Sequence, residues 1–135
     1  MPSNKLPIFQ EKPSPAGISF IDTDGTTAKI IYTAGENGAL IDNISVVSDD
    51  TVALVFDLTF YDGTTDFPLG AVSVPAGAGS DGAVPSFNLL NDTMLTWLQS
   101  GGGAPLGANN LLKIAPQVAV TAAKTVTMVA FGGNY

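Results

Sequence analysis

The chain contains no cysteine, no histidine and no arginine; its five basic residues are Lys5, Lys12, Lys29, Lys113 and Lys124. Without cysteine there is no disulfide framework, no thiolate metal site and no thiol nucleophile. Without histidine there is no imidazole ligand and no imidazole general base. Nucleic acid is bound by clustered Lys and Arg, and so is anionic lipid. Five scattered lysines against twelve acids, with a net charge of −7, exclude both as partners. No side chain titrates at its ordinary pKa between about pH 5 and 8, so stability is expected to be flat across that range.

Long apolar runs are also missing. Stretches such as Val52 to Phe56 end at a charge after strand length, whereas a spanning helix needs about 20 apolar residues. The opening Met1-Pro2-Ser3-Asn4-Lys5-Leu6-Pro7 has no apolar core of a signal peptide, which points to synthesis in a cytosol. Charged residues make up 13% of the chain and hydrophobic ones 45%, with a mean hydropathy of +0.30. Such a chain has enough apolar surface to fold. At 135 residues and 13.8 kDa it suits one core.

Residues 1–16 hold Pro2, Pro7, Pro13 and Pro15. Proline lacks an amide N–H and restricts the residue before it, so this stretch reads as an extended arm. Leu6, Ile8 and Phe9 are its apolar residues. Two readings are open: they tuck onto their own domain, or they reach a neighbouring subunit as interface residues.

The rest, 17–135, reads as one β domain. Short strands are expected at Gly17–Ile21, Thr26–Thr33 and Ala39–Ser48, separated by turns rich in Asp and Gly. Thr51–Tyr61 alternates most clearly. Val52, Leu54, Phe56, Leu58 and Phe60 form one apolar face, and Asp57 stands on the other. A slip of one residue would bury Asp57, so the register is well specified. Asp62-Gly63-Thr64-Thr65-Asp66 is a hairpin loop, and Phe67–Val74 returns with Pro68 marking an edge or bulge. A loop between Pro75 and Pro85 follows. Phe87–Gln99 has approximate helical spacing, with Asn88, Asn91 or Asp92 as caps. Gly101-Gly102-Gly103 breaks the chain, and Asn110–Ala115 and Lys124–Phe131 are further strands. The fold class is all-β: an antiparallel, jelly-roll-like β-sandwich with an N-terminal arm and at most one short helix.

Chemistry-bearing candidates are few. Asp22-x-Asp24-Gly25 matches the start of a calcium loop but lacks the later ligands and the closing Glu. An Asp-Gly turn is the plainer reading. Asp49/Asp50 and Asp62/Asp66 are carboxylate pairs of the kind glycosidases use, yet they sit at tight turns, where Asp bonds to backbone. The glycine-rich stretches lack the lysine and setting of a phosphate loop. Trp97 is either a packing anchor or an interface residue. No catalytic, cofactor-binding or metal-ligating residue is assigned.

Two segments carry a resemblance. Tyr61-Asp62-Gly63-Thr64-Thr65-Asp66-Phe67-Pro68-Leu69-Gly70 is followed by Val72-Ser73-Val74-Pro75-Ala76-Gly77-Ala78-Gly79. The chain ends with Val118-Ala119-Val120-Thr121-Ala122-Ala123-Lys124-Thr125-Val126-Thr127 and Ala130-Phe131-Gly132-Gly133-Asn134-Tyr135. Together they resemble a pattern in small proteins of tailed bacteriophages, often encoded among head genes. The likeness runs over residues 26 to 135, and the arm lies outside it. Some of these proteins look like capsid decoration, or cement, proteins built on a β-sandwich. The resemblance implies a structural virion protein on the capsid surface, made in the host cytoplasm. It also implies no catalytic residue or cofactor, and as partners the major capsid protein and further copies of the chain, as a homotrimer or homodimer. The competing expectation is a phage tail or fibre module binding a host surface glycan, for which Tyr61, Phe67 and Tyr135 are the available aromatics.

Overall fold

The computed structural model describes residues 12–13, 15–91 and 104–135. Among the described residues there are ten strands: β1 (Lys12–Pro13), β2 (Ala16–Phe20), β3 (Lys29–Thr33), β4 (Ala39–Ser48), β5 (Leu54–Tyr61), β6 (Asp66–Val74), β7 (Phe87–Asn88), β8 (Ala104–Leu106), β9 (Leu111–Pro116) and β10 (Val126–Asn134). All pairings are antiparallel. In one sheet β10 and β4 are central; β1 and β2 both pair with β10, and β7 and β8 both pair with β4. The other sheet runs β3-β9-β5-β6. Counting β1/β2 and β7/β8 as one position each, two layers of four positions face each other. The chain alternates between them in the order of a jelly roll. The expected all-β sandwich is therefore the fold.

Alternation builds the core. In β5, Leu54, Phe56 and Leu58 are buried, while Asp57 is exposed and accepts a hydrogen bond from Gln117 Nε2 at 2.8 Å. Val52 departs from the expected apolar face. It lies before β5 and is 51% exposed, because the strand begins only at Leu54. In β4 the buried set changes phase, from Ala39 and Ile41 to Ile44, Val46 and Ser48. A β-bulge is the cause: Phe131 pairs with Asn43 and Gly132 with Ile41, leaving Asp42 without an opposite residue. Pro68 sits at a second bulge on an edge strand, where Leu58 pairs with Gly70 and Thr59 with Pro68. The rings of Phe20 and Phe56 meet at 5.5 Å and tie one sheet to the other.

The helical expectation for Phe87–Gln99 is corrected at its start. Phe87–Asn88 is a strand on β4, and Leu89–Asn91 is a single 3-10 turn. Long-range pairing with Ser45 and Val46 outweighs the local helical spacing. Asn88 Oδ1 accepts from Leu90 N–H and also from Ile44 N–H, both at 3.2 Å. One side chain thus caps the turn and ties it to the sheet. The remainder of that expected helix lies outside the described residues. Lys12–Pro13 and Ala16, within the stretch assigned to the arm, pair with β10.

Candidate functional site

Leu6, Ile8, Phe9 and Trp97, the residues assigned to an interface, lie outside the described residues. The acids singled out by the sequence are described, and they gather at loops. Asp49, Asp50 and Thr51 follow β4; Ala76, Gly77, Ser80 and Asp81 belong to the loop after β6. Together they line a surface depression of about 330 Å³.

Asp50 is the one buried charged residue among those described, at 1% exposure. Its Oδ1 accepts from Val52 N–H at 3.1 Å and from the Thr121 hydroxyl at 2.9 Å, and its Oδ2 from Thr121 N–H at 2.9 Å. Asp49 Oδ1 accepts from Thr125 N–H at 2.7 Å. The two neighbours therefore stitch the β4–β5 turn to the β9–β10 loop. Asp81 does the same within its own loop, accepting from Ala83 and Val84 N–H at 2.8 and 2.9 Å. That loop is tied down further: Ser48 N–H donates to Ala78 O at 2.8 Å, and the Ser80 hydroxyl to Ser48 O at 2.9 Å.

Asp24 accepts from Ile21 N–H at 2.8 Å and pairs with Lys29 Nζ at 3.0 Å, so a lysine occupies the carboxylate that a calcium loop would use. Asp62 Oδ1 accepts from Thr64 and Thr65 N–H, closing the hairpin as an Asx turn. Asp66 pairs with Lys113 at 3.2 Å, and Lys113 Nζ lies 4.1 Å from the Tyr61 ring centre. The Tyr61 hydroxyl donates to Gly63 O at 2.9 Å, and Phe67, 46% exposed, stacks on Phe60. The aromatics available for a sugar subsite are thus partly engaged by their own hairpin.

Among the described residues, four carboxyls titrate below their ordinary range. For Asp50 burial is the largest influence and pushes upward, but hydrogen bonds from Thr121 and Val52 outweigh it. Backbone N–H donors lower Asp24 (Ile21, followed by the Lys29 ammonium), Asp62 (Thr65 and Thr64) and Asp81 (Val84 and Ala83). A glycosidase acid needs the opposite shift, so neither Asp50 nor Asp62 has the character of a general acid.

These shifts set the acid limit of the fold. A carboxyl lowered in the folded state contributes stability above its unfolded pKa and loses it as pH falls through the folded value. Melting temperature is therefore expected to be level from about pH 5 to 8 and to fall below about pH 4. A calorimetric series checks this. A step in the midpoint between about pH 5 and 8 would show instead that a carboxyl is strongly raised.

Sequence reading gave Asp81 no role, although Asp followed by Gly in a loop of small residues is an Asx-turn signal. It placed Asp50 at a turn without its burial, because Thr121 is 71 residues away.

No family model matches the chain, and no curated protein matches it. Among solved structures, it is similar to a chain of the cyanophage Pam1 capsid asymmetric unit. The identity is 16% and the TM-score 0.46, over all of this chain and 93% of that one. It is also similar to a chain in the structure of infectious bursal disease virus Gx strain. There the identity is 17% and the TM-score 0.32, over all of this chain and 38% of that one.

Proposed function

We propose that the chain is a structural virion protein, a capsid decoration or cement protein that binds the outer surface of a tailed-phage head and stabilises it. Its partners are the major capsid protein and its own copies, as a homotrimer or homodimer. It performs no bond-making chemistry, and it moves from the host cytoplasm to the capsid surface. The resemblance over residues 26 to 135 motivates this reading. The observation that carries it is the use the fold makes of its acids. Asp24, Asp49, Asp50, Asp62 and Asp81 all accept hydrogen bonds from the protein's own loops or strand ends. What remains for a partner is a stiff two-layer body with surface to offer. Adhesion by many copies, each weak, suits such a body.

The test uses capsids lacking this chain and the recombinant protein. Rebinding is expected to raise the temperature at which heads open. Removing residues 1–11 is expected to weaken rebinding about tenfold, as loss of an apolar anchor does. The cut stops there because Lys12–Pro13 and Ala16 pair with β10. Equal affinity without those residues would take the arm out of the mechanism. Electron-microscopy density on the tail tip in place of the head would replace this reading with the glycan-binding one.

A further inference from the structure

The segment between β9 and β10, residues 117–125, is held to the body at few points. At its start Gln117 N–H donates to Val55 O. At its end Thr125 N–H donates to Asp49 Oδ1 at 2.7 Å, and Asp49 N–H to Thr125 O at 3.3 Å. Between those ends Val120 is the one buried residue. Among the described residues, the bonds from the middle of the segment to the body are the two that Thr121 makes. Both end on the Asp50 carboxylate, at 2.9 Å. Segments with so few buried contacts open at the low end of a protein's stability range.

The turn that begins at Thr121 is strained. Lys124 N–H closes it on Thr121 O at 3.0 Å, and Ala123, its third residue, has a φ of +67°. That position favours glycine, because a Cβ crowds the following carbonyl. Thr121 and Thr125, anchored on Asp50 and Asp49, stand on either side of Ala123 and keep it there. Releasing Thr121 lets Ala123 relax, so the strain favours opening.

The carboxylate geometry suits release by a proton. Asp50 Oδ1 faces Val52 N–H and Oδ2 faces Thr121 N–H. Whichever oxygen is protonated meets a backbone N–H, which cannot turn into an acceptor. At 1% exposure, water does not take over the bond. The other charged groups around it are Asp49 on the same turn, Asp81 across the depression and Lys124 in the segment itself. Asp49 is exposed and uses one oxygen for Thr125, which leaves the other to take a proton. Asp81 accepts from Ala83 and Val84 in its own loop, and Lys124 forms no ion pair among the described residues.

We propose that the Asp50 carboxylate is an acid-released latch: a proton on it frees residues 117–125 while both sheets stay folded. Opening is local, because the segment remains tied at Gln117 and at β10. The sheets are joined by ladder bonds and apolar contacts, neither of which titrates. Asp24, Asp62 and Asp81 close their own turns, so their protonation loosens those turns alone. Below about pH 4 the molecule thus passes through a folded form with this loop open.

Asp50→Asn places an amide where the protonated acid stands, and so shows the open form at neutral pH. Trypsin cleavage after Lys124, followed by mass spectrometry of fragment 125–135 under denaturing conditions, reads the opening. The rate is expected to rise about tenfold or more, as for loss of a buried charged hydrogen bond. Asp49→Asn, whose remaining oxygen can still face Thr125, should stay within about twofold of the unaltered chain. The unaltered chain is read by amide exchange from about pH 6 to about pH 2.5, each rate taken relative to an unfolded chain at the same pH. Thr121 and Lys124 are expected to lose protection at a higher pH than the amides of β5 and β10. This second measurement decides the matter if Asp50→Asn does not fold. Loss of protection at Thr121 and in β5 at one and the same pH overturns the latch. So does cleavage in Asp50→Asn no faster than in Asp49→Asn.

Discussion

Phe56→Ala is expected to cost about 3–5 kcal/mol, the usual range for deleting a buried aromatic ring. Phe56 is fully buried in β5, and its ring meets Phe20 of β2, so the pair bridges the two sheets. Truncation removes apolar area and leaves a void between layers that are each held by ladder bonds and cannot easily collapse together. For a domain of this size the melting point should drop by about 10–20 °C. Denaturant titration checks the value. Phe67→Ala is the matched control, with the same atoms deleted from a side chain that is 46% exposed. Its cost should stay within about 1 kcal/mol. Equal losses in the two variants would show that the Phe20–Phe56 contact is not the seam of the core.

Gly132→Ala is expected to destabilise by about 3 kcal/mol, at the upper end for an overpacked interior. A Cβ at Gly132 would stand 2.8 Å from Ile41 Cα and nearer still to the Leu40 carbonyl oxygen. Both obstacles are backbone, so no side-chain rotation relieves them. The site is the bulge that shifts the phase of β4 against β10. Strain there spreads to the placement of Ile41 and Ile44 on either side. Gly17→Ala in β2 is the comparison, since its Cβ would meet Met128 O and Val129 Cγ2 at an ordinary 3.7 Å. That variant should be neutral or gain about 0.4–1 kcal/mol through the unfolded chain. Paired urea titrations distinguish the outcomes. If both alanines are tolerated, the bulge can relax.

The same bulge marks the limit of pattern reading. Along Ala39–Ser48 the strand is plain in the sequence, and its bounds agree with β4. The phase change within it is not, because the bulge is defined by Gly132, far along the chain. Leu54–Tyr61 was legible for the opposite reason: one alternation holds throughout, and Asp57 marks the outer face. The hairpin at Asp62 was legible because Asx chemistry is local. Pro68 announced its edge and bulge because a missing N–H is a property of the residue itself.

The fold class, the strands with regular alternation, the turn acids and the absence of imidazole and thiol chemistry were determined by the sequence alone. Each rests on properties of single residues or on neighbours a few positions apart. Tertiary structure decided the rest: which sheet each strand joins, that Asp50 is buried against Thr121, and that Phe87–Asn88 pairs with β4. Those outcomes depend on hydrogen bonds and packing between residues tens of positions apart, where loop closure and burial outweigh local preference.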